Sequence, residues 1–370
     1  MFARSLAPAA DIAPLGAPRI ASVGRALPPH RYDQDTLAAG LRALWRHDPA
    51  GRRVLRMHDR VQVGGRNLAL PMSEYPKLTD FGACNDAFIR VGTDLAADAL
   101  TQACDTAGVA PDHIDALFFT TVTGLATPTI DARLVNRLGL RRTIRRFPFF
   151  GLGCVGGAAG VARMSDYLRG APHHIAALVS VELCSLTLQR TDKSVANLIA
   201  SGLFGDGAAC VLAMGADRIE VAEGPPSPIV CASTSALYPD TERVMGWDIG
   251  ADGFKVVLSA GVPTVVEQNI GPDVDAFLAE HGLTREDIDH WICHPGGPKV
   301  ISALEAALDL PADALDLTRK SLEDIGNLSS ASVLHVLGDH IAAHPPTGDG
   351  WAMLMAMGPG FCAELVLLRW

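Results

Sequence analysis

Three residues in small-residue settings could carry chemistry in this chain. They are Cys154 in Gly-Leu-Gly-Cys-Val-Gly-Gly (151–157), His294 in His-Pro-Gly-Gly-Pro (294–298) and Asn327 in Ile-Gly-Asn-Leu-Ser-Ser-Ala-Ser (325–332). A thiol attacks a carbonyl once its proton is drawn off, and an imidazole can draw it. Acyl transfer and enolate formation put negative charge on an oxygen, which histidine and an amide can hold by hydrogen bonds. Cys154 lies between an apolar segment, Phe147–Phe150, and a helix start, where the dipole favours a thiolate. The rigid turn after His294 would hold its ring at a strand end. Asn327 reads either as an oxyanion donor or as a helix N-cap.

Two other chemistries share these residues. Gly151, Gly153 and Gly156 spell G-x-G-x-x-G, and a strand-like run ending in Glu182 follows, as in dinucleotide sites of NAD-dependent oxidoreductases. Here the turn is mid-chain, and its counterpart at 325–332 has lost the pattern and carries a polar residue, Asn327, at the Cys position. The order Cys, His, Asn also occurs in papain-like hydrolases, but the Cys-Gly-Ser-Cys-Trp type of signature is absent.

The positioning elements come in two sets. Leu-Gly-Cys-Val-Gly-Gly-Ala-Ala (152–159) aligns with Ile-Gly-Asn-Leu-Ser-Ser-Ala-Ser (325–332), and 108–119 aligns with 282–293. A weaker pair is 205–210 against 358–363. Ordered matches of this kind indicate a duplicated α/β unit, with a tail at 1–17 and halves at 18–215 and 216–370. Short apolar runs predict strands at Ala116–Thr121, Ile175–Val181, Ala208–Ala213, Trp291–Cys293, Ala352–Met357 and Ala363–Leu368. Helical periodicity falls at Val91–Ala107, Ile130–Leu138, Gly157–Leu168, Val262–Glu280 and Lys299–Leu308. The helix opening at Gly157 is too small-sided for a surface and should be buried.

Composition narrows the function classes. With 48% hydrophobic and 19% charged residues, the chain reads as compact and globular. No apolar run is long enough to span a membrane, and the N-terminus lacks a secretory pattern. Eight scattered cysteines without CxxC point to a reduced, cytoplasmic protein, and no paired Cys/His spacing suggests a metal. A net charge of −10 argues against nucleic acid. Against that background, Arg52, Arg53, Arg56, Arg60 and Arg66 form a basic group suited to a phosphorylated ligand or to a solvated helix face. Arg141, Arg142, Arg145 and Arg146 form a second, better read as a solvated face.

Taken together, Phe-Gly-Leu-Gly-Cys-Val-Gly-Gly-Ala (150–158), Leu-Phe-Gly-Asp-Gly-Ala-Ala (203–209), His-Pro-Gly-Gly-Pro (294–298), the Asn327 segment and Met-Gly-Pro-Gly-Phe (357–361) resemble the type III polyketide synthases. This is the chalcone synthase-like family of thiolase-fold condensing enzymes, and the likeness runs from about Pro18 to Trp370. Ketoacyl synthase III-type enzymes share Cys, His and Asn but usually carry Gln-Ala-Asn after the histidine. The resemblance implies an α/β, thiolase-like five-layered αβαβα fold from two duplicated halves, and a homodimer. It implies CoA thioesters as substrates and no cofactor or metal. Cys154 is then the nucleophile, with His294 and Asn327 as its partners. Phe204 and Phe254 match aromatic gatekeepers, and Arg53, Arg56, Arg60 and Lys299 match CoA-binding positions. Segments 68–82 and 181–187 are similar to actinobacterial members that load long fatty acyl-CoA, extend it with malonyl-CoA or methylmalonyl-CoA, and release alkyl-α-pyrones. In that reading Val122, Thr123, Ala126, Thr127 and Cys184 line an acyl tunnel. Gly358 and Pro359 shape the cavity; the turn there departs from the Gly-Phe-Gly-Pro-Gly of the plant enzymes, so the cyclisation wall should differ.

Overall fold

The computed structural model describes residues 16–218 and 226–370. The expected tail lies outside the described residues except for its last two, of which Ala17 is buried. In chain order the strands of the first half are β1 (Arg19–Ala26), β2 (His30–Asp33), β3 (Gly65–Leu68), β4 (Ala116–Thr121), β5 (Arg145–Phe150), β6 (Ile175–Leu183) and β7 (Asp206–Met214). Those of the second are β8 (Ile229–Leu237), β9 (Met245–Gly250), β10 (Gly253–Leu258), β11 (His290–Cys293), β12 (Trp351–Gly358) and β13 (Cys362–Arg369). The divide after residue 215 falls in the connection between β7 and β8.

Nine strands form one sheet in the order β5-β4-β6-β7-β1-β8-β13-β12-β11. From the middle outward the two halves repeat each other. β1 and β8 are the inner strands, β7 and β13 lie antiparallel beside them, then β6 and β12, again antiparallel. β4 and β11 follow in parallel. The same pairing sense at each step is the structural form of the repeat seen in sequence. β5 extends only the first half, and β1 meets β8 through Arg19 and Ile229.

Alternation along the buried strands builds the layers. Leu117, Phe119, Ala177 and Val179 point to one face and pack with Phe88, Leu95 and Leu100 of α3 (Phe81–Ala107). Ala116, Phe118, Ala176 and Leu178 point to the other face, toward Ala158, Val161 and Ala162 of α5 (Gly156–Gly170). α10 (Ser332–Ala343) lies beside α5 and contacts strands of both halves through Val333, Val336 and Leu337. Beyond β11–β13, Val266 and Ile270 of α7 (Val262–Glu280) pack with Ile301 and Leu304 of α8 (Pro298–Leu308) as the outermost layer. The result is five layers, with α5 and α10 in the middle.

The remaining helices are α1 (Gln34–Leu44), α2 (Pro49–Asp59), α4 (Ile130–Leu138), α6 (Val195–Leu203) and α9 (Asp316–Ile325). β2–β3 and β9–β10 are two small antiparallel two-stranded sheets, the second of them a hairpin. The central contact requires a missing side chain. A Cβ on Gly157 would lie 2.2 Å from the Ser330 carbonyl oxygen, so only glycine lets the two duplicated turns meet.

Candidate active site

Cys154 sits in a single 3-10 turn, Gly153–Val155, between the end of β5 and α5. Gly153 has φ +56°, and a Cβ there would strike Pro359 at 2.4 Å. That close approach presses the turn after β12 against the nucleophile's turn. On the other side, Cys154 Sγ donates to Ser329 Oγ at 3.6 Å. Ser329 N donates to Asn327 Oδ1 at 2.7 Å, and Asn327 Nδ2 reaches the Gly296 carbonyl at 3.4 Å. Gly296 N in turn bonds the His294 carbonyl at 2.9 Å. These bonds link Cys154, Asn327 and the His294 turn in one chain of contacts. The asparagine divides its amide: its carbonyl accepts from the backbone two residues on, and its NH2 faces the histidine loop.

Strand pairing sets the remaining positions. His294 follows β11, and its N–H bonds Met355 of the neighbouring β12 at 2.9 Å. Asn327 is bracketed by backbone bonds to Leu203 and Gly205, which seats it beside Phe204. The Arg66 guanidinium is buried and donates to the Phe204 carbonyl at 2.7 Å. Arg66 therefore leaves the surface basic group and belongs to the support of this turn.

Burial dominates the electrostatics. The Cys154 thiol is pushed up to about 12, chiefly by desolvation, with Ser329 opposing and the Glu182 carboxylate adding to the rise. Desolvation lowers His294 to about 3, and neither of its ring nitrogens has a hydrogen-bond partner. Burial thus opposes the thiolate that the helix start favours, and opposes the imidazolium in the same way.

Val122, Thr123, Cys184, Phe204 and Pro359 border the cavity at Cys154. Gly358 abuts the Cys154 turn from behind. Ala126 and Thr127 do not border the cavity within one chain: they lie on the loop after β4, with Thr127 exposed. Phe254 is 2% exposed and packs against Phe81 and Trp247, and Trp247 holds the cavity wall in its place. Arg53 and Arg56 are exposed on α2, Arg60 follows as its cap, and Lys299 is exposed in the first turn of α8. Two members of the second basic group are ion-paired: Arg141 with Asp115 and Arg146 with Asp131.

Several cavity residues had escaped sequence reading. Ser329 is one. Met245 and Trp247 come from the β9–β10 hairpin, whose Gly-Ala-Asp-Gly connection (250–253) was a usable signal. Glu182, once a candidate ribose ligand, is fully buried and accepts from Val122 N at 3.1 Å and Thr123 Oγ1 at 2.9 Å, as well as from Ser330. With Glu182 so engaged and the start of α5 covered by Ser330, the glycine turn has no room for a pyrophosphate.

Five layers built from a repeat, with one turn from each half meeting at a buried cysteine, define a thiolase-like condensing enzyme. Residues 10–218 match the N-terminal domain of chalcone and stilbene synthases, and residues 229–370 match their C-terminal domain. The chain therefore belongs to the chalcone and stilbene synthase family: it is a type III polyketide synthase, an acyltransferase acting on CoA thioesters without a cofactor. It is 53% identical to a 1,3,6,8-tetrahydroxynaphthalene synthase of Streptomyces peucetius subsp. caesius, over 95% of this chain and 93% of that protein. The crystal structure of the 1,3,6,8-tetrahydroxynaphthalene synthase of Streptomyces coelicolor A3(2) matches with a TM-score of 0.89 at 28% identity, over 95% of this chain and 99% of that one. The PKS-I structure from the brown alga Ectocarpus siliculosus matches with a TM-score of 0.88 at 26% identity, over 96% and 98%. Among the described residues no helix is long and apolar enough to cross a membrane.

Proposed function

We propose that this polyketide synthase loads a fatty acyl group from CoA onto Cys154, extends it with malonyl-CoA or methylmalonyl-CoA, and releases an alkyl-α-pyrone. The observation that carries this reading is a second cavity of about 310 Å³. Leu37, Leu41, Leu44, Met72 and Leu188 line it, and it shares Cys184, Phe204, Trp247 and Val256 with the cavity at Cys154. An alkyl chain passing Cys184 would gain about 0.8 kcal/mol for each methylene buried.

His294 takes the Cys154 proton as sulfur attacks the acyl thioester, and CoA leaves with that proton. Malonyl-CoA then loses carbon dioxide, and its enolate oxygen is held by Asn327 Nδ2 and the His294 imidazole. The enolate carbon attacks the acyl thioester on Cys154, and the lengthened chain reloads onto the sulfur. After repeated rounds an enol oxygen attacks the thioester carbonyl, which closes the ring and frees Cys154. Arg53, Arg56, Arg60 and Lys299 hold the CoA phosphates. The two halves, 18–215 and 216–370, supply the nucleophile and its two partners respectively.

A second reading rests on the relatives named for 1,3,6,8-tetrahydroxynaphthalene. Its fused aromatic skeleton can be assembled from malonyl units alone, with no fatty starter. Incubation with labelled malonyl-CoA and a series of acyl-CoAs, with products identified by mass, separates the two. The fatty-starter reading expects turnover to rise with chain length through dodecanoyl-CoA, and Cys184→Phe to shorten the preferred chain. A hydroxylated naphthalene formed equally well without any starter would replace that reading with the second.

Neutralising Arg53, Arg56 and Arg60 together should raise KM for acyl-CoA several-fold while sparing thioesters that lack the nucleotide. An equal rise for both would mark the group as structural. Two chains are expected to pair, since β5 leaves a sheet edge with Phe150 exposed. A sedimentation mass of one chain at micromolar concentration would exclude this.

A further inference from the structure

A second group of ligating side chains lies at the far end of β11. His290 opens that strand, which runs on to His294, roughly 13 Å away at strand rise. His340 is on the last turn of α10 and His344 is its C-cap, an i, i+4 pair on one helix face. One ring nitrogen from each of the three lies within 4.8 Å of the others. The His290 and His344 rings stack at 4.9 Å, and His340 is 5.8 Å from His290. His340 is only 4% exposed, yet neither of its ring nitrogens has a hydrogen-bond partner. A buried imidazole left without partners beside two others calls for a ligand that accepts lone pairs.

We propose that His290, His340 and His344 form a binding site for one divalent transition-metal ion, separate from the cavity at Cys154. Imidazole nitrogens suit Zn²⁺, Ni²⁺ or Cu²⁺ and not the oxygen-seeking Ca²⁺ or Mg²⁺. Tetrahedral coordination needs ligand nitrogens about 3.3 Å apart, so side-chain rotation of about an ångström closes the set. Three imidazoles leave a fourth position for water. The site is reachable, because His344 is exposed and borders a surface cavity of about 690 Å³. Asp289, Asp309, Asp313 and Asp316 border the same cavity, which favours a cation; Arg285, also there, is paired with Asp275. Trp370 steadies the wall: its Nε1 donates to the His344 carbonyl at 2.8 Å, and its ring lies 5.2 Å from His290. The ion would clasp β11, which leads into the His294 turn, to α10, which follows the Asn327 turn. Binding only to the folded chain, it would raise the unfolding temperature.

The test uses full-length, tag-free protein stripped with chelator and titrated with Zn²⁺ against a chromophoric competitor, with Co²⁺ absorption as a second readout. The same titration on Cys154→Ala removes the reactive thiol as an alternative ligand. The expected result is one Zn²⁺ per chain in both proteins and a rise in Tm on binding. Affinity should fall at least tenfold in His344→Ala and in His290→Ala, with the Tm rise lost. Polyketide turnover by His344→Ala, whose side chain is exposed, verifies that this variant is folded. The proposal is overturned if the stripped protein shows no saturable binding, or if both histidine variants bind Zn²⁺ as tightly as the parent.

Discussion

Replacing Cys154 by alanine should abolish chain extension yet leave slow release of carbon dioxide from malonyl-CoA. Acyl transfer needs a sulfur nucleophile, and without one condensation should fall by roughly four orders of magnitude or more. Decarboxylation needs only a place for the enolate oxygen. Asn327 is held by its own bonds to Ser329, Leu203 and Gly205, so that place survives the loss of the thiol. Ser329 loses one long contact and keeps its backbone bond to Asn327. Carbon dioxide release and product formation, followed in parallel with labelled malonyl-CoA, distinguish the two steps. Normal polyketide formation by Cys154→Ala would remove this residue from the mechanism.

Asn327→Ala should lower decarboxylation on the order of 10²–10³-fold, the usual loss for one amide donor to an oxyanion. Acyl loading should change far less. The divided use of the amide gives a sharper comparison. Asn327→Asp keeps an oxygen to accept from Ser329 N but replaces the NH2 that faces Gly296. If the donor matters, Asp should be as poor as Ala in decarboxylation, beside the stability lost by burying its carboxyl against the Gly296 carbonyl. Decarboxylation restored by Asp would show that Asn327 acts as a cap.

The parts of the fold legible in sequence are those whose local pattern and tertiary fate agree. β4 and α7 have the bounds their apolar runs and periodicity indicate, because both are framed by turn residues and bury one continuous surface. The repeat was legible because the meeting of the two turns demands small residues in both copies, as Gly157 against Ser330 illustrates. α3 begins at Phe81, earlier than its periodicity: its first turns, Phe-Gly-Ala-Cys-Asn, lack an apolar stripe, and the Asp80 cap starts them. β9 and β10 were missed because they are half exposed, with Ile249 at 55%, so no clean alternation survives.

At the site, residue type was legible and environment was not. Cys154, His294 and Asn327 stand in distinctive turns, and the fold joins them. Whether Arg66 is a surface cation or a buried support depends on Phe204 and Asp206, which are distant in sequence. Phe254 packs against Trp247, a residue from the other strand of its hairpin that borders the cavity. His340 and His344, four residues apart, did not read as ligands in sequence, because their third partner, His290, comes from a strand far upstream.

The most direct test of the central claim is to trap the acyl-enzyme. Protein incubated with dodecanoyl-CoA in the absence of malonyl-CoA is quenched in acid, and its peptides are mapped by mass. One dodecanoyl group per chain, on Cys154 and formed much more slowly in His294→Ala, is the expected result. Acyl groups spread over other cysteines, or none on Cys154 while product still forms from the same starter, would contradict it.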